Sequence, residues 1–202
     1  MHTALARPSL VPEVVMYTAT DITPLWRATT AYLGSFGIDA PFWSVPWAGG
    51  QGLARWVLDH PEVVRGRRVV DFGAGSGLVG LACMHAGAAS VRAVDIDPLS
   101  EAACHMNAEA NHVEIGFTCS NVVGEKVDAD VLLARDVWYE RGAAVKFGRW
   151  LTEVAASGVE VVTGDPGRAY VPANASELAR ISVPTDPDLE SAATKTTRIL
   201  RM

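Results

Sequence analysis

At residues 69–82 the sequence reads VVDFGAGSGLVGLA, a β-forming block that breaks into glycines and resumes as an apolar, helix-like pattern. A strand ending in glycines ahead of a helix presents backbone N–H groups and the positive end of the helix dipole to a ligand. Two registers fit this loop. Gly75, Gly77 and Gly80 satisfy the dinucleotide pattern GxGxxG, whereas Asp71, Gly73, Gly75 and Gly77 satisfy DxGxGxG. Asp71 weighs between them, because a carboxylate at the mouth of the loop repels a diphosphate and suits a ligand carrying an ammonium and a sulfonium. S-adenosylmethionine carries both.

Further polar residues fall where the same site would need them. Asp95 ends the next strand, about 20 residues past the glycines, the place of an acid that accepts ribose hydroxyls of either nucleotide. Asn121 follows the third strand and offers an amide to an adenine edge, or else makes a plain turn. ARDVWYE sets Asp136, Trp138, Tyr139 and Glu140 at the carboxyl edge of the sheet, where open α/β sheets bind ligands. The alternative is that Asp136 caps the helix starting near Arg141 and Trp138 is core. GDPGR then brings Asp165 and Arg168 to that edge, either as site groups or as an Asp-Pro-Gly turn with a solvated arginine.

The elements that must hold these residues alternate from about Arg68 onward. Strands are predicted at 68–71, 90–95, 114–119, 129–134 and 160–163, with Val69, Val91, Val131 and Val161 in the core. Helices are predicted at 78–85, 98–111 and 141–155, the second with Asp97 as N-cap and Pro98 at its first position. This rhythm implies a mainly parallel sheet with right-handed crossovers and helices on both faces. Residues 180–183 and 194–200 would close it as an antiparallel edge hairpin, giving seven strands. Upstream, 50–58 reads as a helix, while DAPFWSVPW at 39–47 holds two prolines and three aromatics and reads as a lid or wall. The expected organisation is a single domain over 1–202, with 1–47 as an N-terminal extension.

Composition narrows the partners. The 202 residues are 49% apolar with a net charge of −6, enough for one packed core and unsuited to a chain whose main partner is a phosphate backbone. Cys83, Cys104 and Cys119 are odd in number and lack CxxC spacing, and the five histidines show neither HxH nor HExxH, so reduced thiols, a cytoplasmic setting and no metal are expected. No apolar run approaches the roughly 20 residues of a membrane span.

Together these residues resemble the seven-strand S-adenosylmethionine-dependent methyltransferases, and more narrowly the branch that methylates lysine on folded proteins, the electron-transfer flavoprotein β-subunit lysine methyltransferases. The likeness is carried by PFWSVPWAGGQGLARWVLDHPEVVRGRRVVDFGAGSGLVGLA, AVDIDP, ARDVWYE and VTGDPGR, most of residues 41–168. It implies a Rossmann-like α/β fold, S-adenosylmethionine as methyl donor with S-adenosylhomocysteine as product, and a protein acceptor such as the flavoprotein β-subunit. It also implies that Asp136 and Tyr139, the DxxY motif, serve the target lysine, and that Trp47 walls the cofactor. Asp71, Gly73 and Gly75 would line its methionine end, Asp95 its ribose and Asn121 its adenine. Trp138, Glu140, Asp165 and Arg168 are the expected substrate-side residues. The last stretch of about 40 residues carries less of the family pattern, leaving acceptor choice open among the loops that usually set it. A small-molecule N-methyltransferase, a nucleotide-dependent oxidoreductase and a non-catalytic cofactor-binding module are the competing functions.

Overall fold

In a computed structural model, residues 2–20 and 41–202 are described. Seven strands form one sheet in the order β5-β4-β3-β6-β7-β9-β8: β3 (Arg68–Phe72), β4 (Ser90–Asp95), β5 (Gly116–Cys119), β6 (Val131–Arg135), β7 (Glu160–Asp165), β8 (Ser176–Pro184) and β9 (Thr194–Arg201). β3 to β7 pair in parallel, and β9 runs antiparallel to both β7 and β8. This is the expected seven-strand sheet with its antiparallel edge hairpin. The chain order reverses between β3 and β6, the switch point where such sheets open a crevice at the strands' carboxyl ends.

Helices cover both faces. The helices α1 (Ala48–Asp59) and α2 (Leu78–His85) pack together over one apolar cluster that includes Leu53, Val57, Leu78, Leu81, Val91 and Val131. The helix α4 (Arg141–Ala156) lies over the other, where Phe72 meets Trp150 with ring centroids 4.9 Å apart. Val69, Val91, Val131 and Val161 are all buried, as the strand pattern required. The helix α3 (Pro98–Ala110) starts as its sequence dictates: Pro98 takes the first position and Asp97 accepts the Leu99 N–H at 2.8 Å. A short helix α5 (Pro187–Glu190) sits in the β8–β9 connection.

The N-terminal extension holds more structure than its sequence suggested. β1 (Thr3–Ala6) and β2 (Met16–Ala19) form an antiparallel ribbon. Val11, Val14 and Met16 are fully buried in the same core cluster as α1 and α2, so this part of the extension is built into the domain. Asn107 ties it down: its Oδ1 accepts the Tyr17 N–H at 2.8 Å while its Nδ2 donates to the Ser76 carbonyl at 3.0 Å, linking the ribbon to the glycine loop. Residues 21–40 of the expected extension, including Asp39 and Ala40 of the lid segment, lie outside the described residues.

Candidate active site

The glycine loop turns out of β3 beside Asp71, which is wholly buried. Its Oδ2 accepts the Gly80 N–H at 2.9 Å, and its Oδ1 has no hydrogen-bond partner. Burial raises its pKa, opposed by the positive charge of Arg135. Gly75 adopts φ +49°, a left-handed turn that favours glycine. Its N–H donates to Asp95 Oδ2 at 2.7 Å, and Asp95 Oδ1 takes the N–H groups of Ile96 and Asp97. Asp95 thus stitches the loop to the end of β4, and Oδ2, which accepts a single N–H, keeps a lone pair for a hydroxyl donor. Two carboxylates at one turn suit a cation and repel a diphosphate. A buried acid oxygen without a partner beside a glycine turn suits the cationic amino-acid end of S-adenosylmethionine. The residues therefore fit that cofactor.

Asp136 leaves β6 in the left-handed conformation, φ +53°, which a residue other than glycine adopts only under local constraint. The constraint is visible. Its N–H donates to the Gly164 carbonyl at 3.1 Å, and its carboxylate accepts the Gly49 and Gly50 N–H groups at 3.2 and 2.9 Å. Glu190, 6% exposed, accepts the Ala48 N–H at 3.0 Å. Trp47, the N-cap residue, supplies no side-chain cap, so the first three donors of α1 are satisfied by two acids from remote parts of the chain. Burial pushes the Asp136 carboxyl up to about 6, with Arg135 opposing and Glu190 adding to the shift. Arg168 stands 3.8 Å from Glu190.

The β6 exit abuts the loop: a Cβ on Gly73 would lie 3.5 Å from Val137, and the Arg135 side chain donates to the Ala74 carbonyl. The structure thus brings together Asp71, Gly73, Gly75, Asp95 and Asp136. It places other expected residues differently. Trp138 is fully buried in the α4-side cluster, its Nε1 3.4 Å from Thr163 Oγ1, so the expectation that it lines an acceptor pocket is corrected: it is core. Glu140, not Asp136, caps α4, accepting the Gly142 and Ala143 N–H groups at 2.8 and 2.9 Å, and these bonds hold its pKa down. Asn121 Oδ1 accepts the Val123 N–H at 3.1 Å, the plain-turn alternative. Asp165 is buried in the GDPGR turn, accepting the Gly167 N–H and pairing with Arg198 at 3.0 Å. Trp47 donates its indole N–H to the Phe42 carbonyl at 2.8 Å, and it is Trp43 whose Cα lies 3.5 Å from where a Gly75 Cβ would stand. Tyr139 is 64% exposed, at the surface.

Glu190, Arg135 and Trp43 are site neighbours that sequence reasoning passed over. Among the described residues no cluster of acids, histidines or cysteines could hold a metal ion. Replacing Glu140 by alanine is expected to lower the melting temperature through loss of the α4 cap, leaving S-adenosylhomocysteine affinity unchanged, as thermal melts and titration calorimetry would register.

A glycine turn at the switch point of a seven-strand sheet whose β9 runs antiparallel defines a Rossmann-like methyltransferase class. Consistent with this, the family model for ribosomal protein L11 methyltransferase (PrmA) matches residues 57–135. In fold the chain is similar to the Pyrococcus abyssi tRNA (uracil-54, C5)-methyltransferase solved with S-adenosyl-L-homocysteine, with a TM-score of 0.58 at 12% identity, covering 100% of this chain and 44% of that one. The electron transfer flavoprotein beta subunit lysine methyltransferase of Danio rerio is 36% identical over 164 residues, 80% of this chain and 62% of the relative. That of Xenopus laevis is 34% identical over 171 residues, 83% of this chain and 68% of the relative. The chain belongs to the electron transfer flavoprotein beta subunit lysine methyltransferase family, and spans about two thirds of the length of these relatives.

Proposed function

We propose that this chain catalyses S-adenosylmethionine-dependent N-methylation of lysine on a folded protein, with the electron-transfer flavoprotein β-subunit as acceptor. One observation carries the reading: a constrained acid, Asp136, stands at the β6 exit beside the acid-flanked glycine turn, in a chain 36% identical to a relative of that name.

The cofactor supplies a methyl carbon activated by sulfonium, and the chain's own residues supply alignment of the amine with it. Lysine titrates near 10.4 in water, so the pocket must favour loss of its proton by keeping it from solvent. Asp136 spends one lone pair on each helix N–H and keeps others, through which it accepts an N–H from the amine and fixes its orientation. Its charge also compensates the incoming ammonium. Tyr139, three residues on, gives the mouth an exposed aromatic wall.

A protein acceptor, as opposed to a free amine, is supported by the surface beside this mouth. A groove of about 600 Å³ runs between α4 and residues 170–174, beginning at Arg141, and Val145 and Tyr170 line it while 69% and 42% exposed. The cytoplasmic reading is supported by the three cysteines, all of them free thiols. Among the described residues no helix is long and apolar enough to cross a membrane.

Incubation with methyl-labelled S-adenosylmethionine and purified flavoprotein β-subunit, beside a nicotinamide-like free amine, tests the function. Label on lysine of the protein is expected. Label on the free amine alone would overturn the protein-acceptor reading.

A further inference from the structure

Glu190 is fixed by its own short segment before it meets α1. In TDPDLES, residues 185–191, Asp186 accepts the Asp188 N–H at 2.9 Å, Pro187 takes the first helical position, and Ser191 stops the turn in the left-handed conformation, φ +63°. Thr185 Oγ1 donates to the Ala192 carbonyl at 2.6 Å and ties the ends of the connection together. Glu190 Oε1 then accepts the Ala48 N–H at 3.0 Å, while Thr197 Oγ1, from β9, donates to the Ala48 carbonyl at 2.8 Å. Both side chains are buried, so the β8–β9 hairpin grips the first residue of α1 by its two backbone groups.

Accepting one N–H does not require a charge, and an amide would do it at lower desolvation cost. The charge has another use. Asp136 stands among several suitors: the N–H groups that open α1, and the guanidinium groups of Arg135 and Arg168, both of whose charges it feels. Arg135 is turned to the Ala74 carbonyl. Glu190 takes the Ala48 N–H with one oxygen and stands 3.8 Å from Arg168 Nη2 with the other. Among the described residues Glu190 is the acid that pairs with the Arg168 side chain, and no arginine pairs with Asp136.

We infer that Glu190 is a positioning residue for methyl transfer: by taking the Ala48 N–H and holding Arg168 to itself, it leaves Asp136 on two helix donors with its charge free for the acceptor amine. The part played by Asp136 rests on the lysine-methyltransferase reading above; what Glu190 does to Asp136 is a property of this protein alone. The C-terminal hairpin thereby completes the setting of the acid that meets the acceptor.

Carbon-13 NMR of the aspartate carboxyls, with the Asp136 line identified by its loss in Asp136→Asn, tests this without turnover. In the wild type that line should titrate near pH 6. Glu190→Gln keeps an acceptor for Ala48 but releases Arg168, so the midpoint should fall by about 1 pH unit, and adding Arg168→Gln should restore most of that fall. With Glu190 in place, Arg168→Gln should raise the midpoint by less than it does beside Glu190→Gln. An unmoved midpoint in a folded Glu190→Gln, or equal effects of Arg168→Gln in the two backgrounds, overturns the inference. Should Glu190→Gln fail to fold, Arg168→Gln alone decides: a rise of about 1 pH unit or more would show that Arg168 already holds Asp136, and would overturn it too. With flavoprotein β-subunit as acceptor, Glu190→Gln should raise KM about tenfold, the size of a weakened charge-assisted bond to the amine; a loss confined to kcat would count against it. A wild type that methylates no lysine would sink the proposed function and leave the carboxyl titrations to decide whether Glu190 guards Asp136.

Discussion

Asparagine in place of Asp136 is expected to lower kcat for lysine methylation by about 10³-fold, with S-adenosylhomocysteine still bound within a few-fold of wild type. The amide keeps one acceptor for the α1 N–H groups but sets an NH2 where the second carboxylate oxygen now accepts, and it offers no charge to the incoming amine. Full activity in this variant would remove Asp136 from the mechanism. The pH dependence follows from the same carboxyl, which burial lifts to about 6. Activity requires the ionised form, so kcat/KM should rise through about pH 6, and the asparagine variant should lack that acid limb. Stability runs the other way. A carboxyl whose folded pKa is raised holds its proton more tightly in the native state, so its contribution is greatest below its ordinary range and is lost as pH rises through about 6. The melting temperature of Asp136→Asn, measured against wild type, should accordingly move in the variant's favour between about pH 4 and 6 and stay level above that.

Asp71→Asn is expected to weaken S-adenosylmethionine about 100-fold, the size of a lost charge-assisted bond to an ammonium. The same substitution leaves the Arg135 guanidinium buried without the countercharge it now feels from β3. Removing one member of a buried opposite-charge couple is destabilising, here by about 2 kcal/mol since the two are not in contact, which for a chain of this size is a fall in melting temperature of roughly 4–8 °C. The amide can still accept the Gly80 N–H, so the α2 start should persist and circular dichroism should be unchanged. Wild-type affinity in a variant that melts lower would separate the structural role of Asp71 from ligand binding.

The sequence was most informative where local rules and tertiary contacts agree. The glycine loop, the Asp97–Pro98 start of α3 and the five parallel strands each carry a signal within a few residues, and α2 spans the predicted 78–85. Legibility fails where the deciding contact is remote. Glu190 reads as a polar residue of PDLE, yet the fold sets it on the Ala48 N–H, 142 positions away. Arg135 reads as the polar end of a strand, and only the glycines at 50 and 75 reveal the channel it fills. ARDVWYE offered Asp136 as the alternative cap of the next helix, but Glu140 takes that place because both of its oxygens reach the first-turn N–H groups. Trp138 was ambiguous for a related reason: an aromatic two residues past a strand can face the mouth or the interior, and the α4-side cluster claims it. The ribbon strand β1 escaped because all four of its residues are exposed, so burial imposes no alternation on TALA.

The paired acids that hold the start of α1 also order events during synthesis. Asp136 and Glu190 emerge from the ribosome long after Ala48, and elongation at about 5–20 residues per second leaves seconds between them. β8 likewise reaches the sheet only through β9, which is made after it. The glycine turn and the Asp95 that stitches it are therefore synthesised early, whereas the mouth that admits an acceptor is completed only when translation has passed residue 190.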